Sequence, residues 1–231
     1  MFLINPYILQ ASGNPLWNGL LAYYTADNTP NDALGTYNGT LVNGTTYGTG
    51  IINQGFSLDG VNDYVDFGNN FDNDGSQIQS FSLWYKTSDV TKNQSIFSKY
   101  TGSGQVLYGL TKQTNTKLIF IIQQTYPSNM LRVESNTVLI NNTWYHITVT
   151  YDGSKNASGV KIYINGVEST YNIVADVFTG NSSNTGTFKI SSPNIGYIGG
   201  LIDELSIFNR VLSSTEATEL YNAGAGKQYP N

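Results

Sequence analysis

A chain of 231 residues with 39% hydrophobic side chains has material for one large core, yet only 12% of it is charged, about half the usual ~25%. Asn, Thr, Ser and Gly must therefore carry the polar surface. A net charge of −5 with no cluster of Lys or Arg excludes a nucleic-acid footprint, and zero Cys excludes disulfides, thiolate metal sites and a thiol nucleophile.

Residues 1–18 show no periodicity and contain Pro6 and Pro15. Their apolar side chains (Phe2, Leu3, Ile4, Tyr7, Ile8, Leu9) predict an arm that packs on its own domain or docks to a partner subunit. The segment lacks a positive start, and Asn5-Pro6 interrupts its apolar run, which is not the pattern of a secretory signal. No stretch approaches the ~18 apolar residues of a membrane span.

From residue 19 to 231 the chain reads as one domain. Period-two apolar segments bounded by Gly, Asn, Asp and Ser predict strands at 20–25, 54–58, 63–67, 78–87, 94–99, 105–112, 117–124, 130–134, 144–151, 160–165, 186–191 and 201–208. Asn165-Gly166 predicts a two-residue hairpin, because both central positions need positive φ. In the last strand, alternation predicts Ile202, Glu204, Ser206 and Phe208 on one face and Leu201, Asp203, Leu205 and Ile207 on the other. An acid among three aliphatic residues must then be paired, hydrogen-bonded or holding a metal. One helix follows: Ser213 with Glu216 forms a capping box, Ala217, Leu220 and Tyr221 give an apolar side, and Gly224 stops it. A dozen strands and one late helix predict an all-β, two-sheet antiparallel jelly-roll sandwich.

Four separated segments carry a family likeness. The first is Leu20-Leu21-Ala22-Tyr23-Tyr24 with Asn31-Asp32-Ala33-Leu34-Gly35-Thr36-Tyr37-Asn38-Gly39-Thr40, where Leu34 and Thr36 replace a usual Ser and Asn. The second is Phe56-Ser57-Leu58-Asp59-Gly60-Val61-Asn62-Asp63-Tyr64-Val65. The third is Trp144-Tyr145-His146-Ile147-Thr148-Val149-Thr150-Tyr151-Asp152-Gly153, continued by Val160 to Gly166. The fourth is Ile202-Asp203-Glu204 through Asn209-Arg210-Val211-Leu212-Ser213. Together they resemble the laminin-G-like domains of the concanavalin A-like lectin/glucanase superfamily, over about residues 20 to 221. The resemblance implies a sandwich that commonly holds sugar and structural calcium. Carried over by motif, it nominates Asp32, Asp59 and Asp203 for calcium, with carbonyls near Gly35 and Gly60 as helpers. The same acids equally serve as turn caps that bind backbone amides.

Catalysis has little support. Glycoside hydrolysis needs two carboxyl groups flanking one bond. The five glutamates (Glu134, Glu168, Glu204, Glu216, Glu219) do not fall on alternate residues of one strand, and adjacent Asp203 and Glu204 face opposite ways. His146, the one histidine, lies inside a strand motif and reads as structural. Sugar binding draws on aromatic rings and amides, and the 17 Tyr make the chain 13% aromatic together with Phe and Trp. Loop-borne Tyr100, Tyr108 and Tyr126, with Asn115 and Gln124, are the candidate contacts, on a polar sheet face lined by Tyr, Gln and Asn.

The expected function is non-enzymatic recognition of a surface glycan. The opening Met-x-x-Ile-Asn-Pro-Tyr resembles small phage structural proteins, which implies display on a virion surface and docking to capsid or fibre proteins through residues 1–18, as a homo-oligomer with a trimer as the guess. An extracellular or cell-surface module is the alternative setting. A capsid decoration or oligomerisation protein without sugar binding, and a glycoside hydrolase with unrecognised residues, are the alternative functions.

Overall fold

The computed structural model describes residues 14–101, 106–183 and 185–230. In chain order the strands are β1 (Leu20–Tyr24), β2 (Thr40–Val42), β3 (Thr46–Thr49), β4 (Gln54–Asp59), β5 (Tyr64–Asp66) and β6 (Gln79–Thr87). Next come β7 (Gln94–Tyr100), β8 (Val106–Lys112), β9 (Leu118–Thr125), β10 (Asn129–Ser135) and β11 (Trp144–Tyr151). The remainder are β12 (Val160–Ile164), β13 (Val167–Glu168), β14 (Tyr171–Asp176), β15 (Thr187–Ile190) and β16 (Gly199–Phe208), before helix α1 (Ser214–Tyr221).

They form two antiparallel sheets. The first runs β13-β12-β11-β6-β16-β4-β3, with β1 pairing the far end of β16. The second runs β14-β10-β9-β8-β7-β15-β5-β2. Every expected strand is found to within two residues. The predicted hairpin is there too: Asn165 and Gly166 both have positive φ, and α1 approaches the glycine so closely that a Cβ would lie 3.0 Å from the Thr218 backbone. Unforeseen are β2 and β3, which are three and four residues long, and β14, an edge strand exposed on both faces.

The inner faces meet in one core. Its centre is Phe188 of β15, whose ring lies 5.2–6.2 Å from those of Phe67, Phe71, Phe81, Phe97 and Tyr108. A second apolar cluster covers the outer face of the first sheet, where Leu16, Trp17, Tyr23, Phe208, Leu212 and Leu220 gather. Helix α1 is held there by the predicted capping box of Ser213 and Glu216. Residues 14–18, read as part of an arm, pack on their own domain. Asn14 donates to Glu219 at 2.9 Å, and the Arg210 guanidinium donates to the carbonyls of Leu16 and Asn18. Residues 1–13, which carry the docking expectation, lie outside the described residues.

The expected alternation along β16 does not hold. The register against β6 shifts between Asp203 and Ser206, and Glu204 has φ of +51°. This bulge puts Ile202, Leu205 and Ile207 in the core together, while Ser206 and Phe208 face outward. Asp203 therefore does not share a face with the core aliphatics. It lies opposite Trp84, against Gly50 and Gly55.

Candidate functional site

Because Phe97, Leu110, Phe120, Val133, Phe188 and Val65 point into the core, the alternate residues of the second sheet point away from it. Cross-strand register aligns one outward row as Asp66, Lys189, Ser98, Gly109, Ile121 and Arg132. At ~4.8 Å per strand this row is about 24 Å long. Its flanks hold Ser95, Thr111, Ile119 and Gln123. Although they face away from the core, Ser95, Ser98, Thr111, Ile119 and Gln123 are all buried, so the face is recessed.

Polar atoms in this recess are incompletely paired. The Gln123 side-chain oxygen and Nε of Arg132 are both buried without a partner among the described residues. The two side chains are diagonal neighbours on β9 and β10, a separation that long side chains span. At the other end, Lys189 pairs with Asp66 at 3.3 Å and lies over the Tyr64 ring at 4.2 Å and the Tyr100 ring at 5.9 Å. Gly109 holds the middle: a Cβ there would lie 2.6 Å from the Phe97 carbonyl oxygen, so a larger residue would push β7 away.

The candidate sugar contacts scatter around this face. Tyr100 borders it, half-buried at the end of β7. Tyr126 is 62% exposed in the β9–β10 turn at the same end, near Gln124, whose side-chain oxygen accepts from Asn129 at 3.2 Å. Asn115 lies in the β8–β9 turn at the opposite end and donates to Glu134. Tyr108 is not a surface residue: it is fully buried beside Phe188, and its hydroxyl donates to the Phe71 carbonyl. The loop-borne expectation fails for it: it lies inside β8, within the expected strand 105–112, and alternation with Leu110 points it into the core. Arg132, Gln123, Lys189 and Tyr64 escaped notice, and the missing signal was register: these residues are far apart in sequence and converge only through strand order.

Nor do the three nominated acids converge. Among the described residues no three His, Cys, Asp or Glu side chains gather as a metal site. Asp32 is buried with both oxygens engaged, accepting backbone N–H groups of Tyr23, Leu34, Thr36 and Tyr37. It organises its loop through amides, so the Leu34 and Thr36 departures cost it nothing. Asp59 is exposed and accepts from Val61 and Asn62 of its own turn. Asp203 is fully buried, with one oxygen accepting from Ile51 and Ile52 at 2.7 and 3.1 Å and the other without a partner among the described residues. Burial, with the Asp27 charge adding, pushes its carboxyl up to about 7 against the pull of those amides.

Glu204 is buried with both oxygens unpartnered among the described residues, and burial pushes it up to about 8. His146 is buried behind Trp84 and Tyr221, its Nε2 2.9 Å from the Ser82 hydroxyl. Neither faces the recess on the second sheet.

Comparisons with known proteins agree with this architecture. Domain 4 of AbnA, a GH43 extracellular arabinanase from Geobacillus stearothermophilus solved in complex with arabinotriose, is 23% identical, with a TM-score of 0.58 over 87% of this chain and 97% of that one. The binding domain of Paraclostridial Mosquitocidal Protein 1 is 15% identical, with a TM-score of 0.70 over 90% of this chain. The botulinum neurotoxin serotype D binding domain is 19% identical, with a TM-score of 0.64 over 90% of this chain. This chain spans 53% of each of those two toxin domains. No curated protein matches. The Laminin_G_3 family matches residues 59–218, more than half the chain, so the protein belongs to that family of the concanavalin A-like lectin/glucanases superfamily.

Proposed function

We propose that this domain is a non-enzymatic carbohydrate-binding module and that the recessed outer face of the second sheet is its site. The observation that carries the reading is the outward row from Lys189 to Arg132, with its unpaired buried polar atoms at Gln123 and Arg132 and its half-buried Tyr64 and Tyr100 at the margin. Tyrosine rings stack on the C–H faces of sugars, and the amide, guanidinium and hydroxyl groups bond their oxygens. The complex of the arabinanase domain with arabinotriose makes arabino-oligosaccharides the first probes. Hydrolysis finds no support in the acids: Glu204 is closed off, Glu134 is paired with Lys117 at 3.2 Å and Asp66 with Lys189. A glycan array followed by calorimetry tests the site. Gln123→Ala and Tyr100→Ala should each weaken the best ligand about tenfold with little change in melting temperature. Ligand binding untouched by both substitutions would move the site elsewhere, and an array without hits would end the carbohydrate reading.

Calcium belongs to this reading as a stabiliser of loops away from the sugar. Asp203 fits a cation through its unpartnered buried oxygen, and its charged neighbour is Asp27, not Asp32 or Asp59. Two carboxylates would leave calcium to draw most of its six to eight oxygens from carbonyls and water. Calcium above its dissociation constant should raise the melting temperature and a chelator should lower it, with Asp203→Asn abolishing the response. A melting temperature indifferent to calcium in the wild-type protein would dismiss the metal. For the biological setting we propose the phage virion surface, on the low-charge, Asn/Thr/Gly-rich composition and the first few residues; flanking capsid or tail genes would support it, and metabolic neighbours would count against it.

A further inference from the structure

We infer that the glycan this face accepts is acidic, with a sugar carboxylate seated on Arg132. The inference rests on the carbohydrate reading above and specifies its ligand class. Its basis is an inventory of cations. Of the eleven Lys and Arg residues, nine engage a carboxylate or a backbone carbonyl and Lys86 lies over the Trp144 ring at 4.8 Å. Arg132 alone has no partner among the described residues, in a chain whose net charge is −5. An acidic chain has carboxylates to spare, so an unpaired guanidinium in a recess is a costly arrangement unless a ligand completes it.

The surroundings preserve that vacancy of charge. Glu134, two residues along on the same face, is engaged by Lys117 at 3.2 Å and by Asn115. On the neighbouring strand β14, Ala175 lies opposite Arg132, and Asp176 accepts the backbone N–H of Ala157 at 2.7 Å. On β9 the flanking outward residues are Ile121 and Gln123. Among the described residues, neither of these two neighbouring carboxylates pairs with Arg132. A planar guanidinium offers two parallel N–H donors that match a carboxylate, and the buried Nε position supplies one of them. The unpartnered Gln123 oxygen beside it accepts a hydroxyl of the same ring.

The test uses matched probes on the full chain: oligomers of galacturonic, glucuronic and mannuronic acid and sialyl-lactose, beside neutral galactan, glucan and mannan oligomers, lactose, and sulfated counterparts. One of the carboxylated sugars should bind at least about tenfold tighter than its neutral partner. That preference should shrink in 1 M salt, vanish in Arg132→Gln and survive in part in Arg132→Lys. Equal binding of a neutral and an acidic partner, or a preference that outlives Arg132→Gln, overturns the inference and leaves the carbohydrate reading intact. A preference for sulfate over carboxylate overturns the planar-carboxylate assignment. Failure of every sugar in this panel overturns the inference, and failure of the arabino-oligosaccharides and the glycan array as well removes the carbohydrate reading with it.

Discussion

Replacing Phe188 by Ala should cost about 4–5 kcal/mol, the upper range for deleting a buried aromatic ring. Phe188 is fully buried on β15 and touches five aromatic rings drawn from four separate stretches of chain. Phe81 comes from the first sheet, Phe97 and Tyr108 from the second, and Phe67 and Phe71 from the loop that follows β5. Those neighbours are themselves in contact, as Phe81 and Phe97 stack at 4.4 Å, so they cannot collapse freely into the space vacated. Urea denaturation of wild type and variant measures the loss directly. Tyr126→Ala, at a position 62% exposed, supplies the contrast and should stay within about 0.5 kcal/mol. A Phe188→Ala loss below about 1.5 kcal/mol would mean that the sheets do not close over this ring as described.

What could be read before the fold was known follows the range of the interactions involved. Strands with clean alternation, such as Trp144 to Tyr151, declare themselves because each residue's environment is set by its neighbours two away. The Asn165-Gly166 turn and the Ser213–Glu216 cap are likewise local chemistry. Strands β2 and β3 are too short for a period to register, and β14 gives no burial contrast because both its faces meet solvent. The bulge at Glu204 was invisible because an ordinary residue takes positive φ there, where glycine would have flagged it. The recess on the second sheet was foreseen only in kind, as a polar face. Its members come from strands whose order, β10-β9-β8-β7-β15-β5, cannot be deduced from spacing. Orphaned polar atoms such as those of Gln123 and Arg132 exist only once packing has removed their alternatives.

Acid should expose His146. Burial holds its imidazole neutral, lowering its pKa from 6.5 to about 3, and its Nδ1 has no partner among the described residues. Above pH 6.5 the group is neutral in both the folded and the unfolded chain and adds no pH dependence. Below it the unfolded chain takes up a proton that the folded chain refuses, so stability falls by about 1.4 kcal/mol per pH unit until the folded group also titrates near pH 3. Glu204 runs the other way: its raised carboxyl gives stability that is present below pH 4.5 and lost as pH rises through about 8. The wild-type curve mixes these with the raised Asp203 carboxyl, and a difference between variant and wild type isolates the histidine. His146→Gln keeps a polar group that can reach the Ser82 hydroxyl but cannot titrate. At pH 7.5 the variant should be the less stable of the two, having lost the ring contacts with Trp84 and Tyr221. By pH 4 the wild type should have lost about 3 kcal/mol relative to it, enough to reverse their order in urea denaturation. Parallel pH curves for the two proteins would show that His146 is protonated, or reachable by water, in the folded state. With it would go the description of this face of the first sheet as sealed by Trp84 and helix α1.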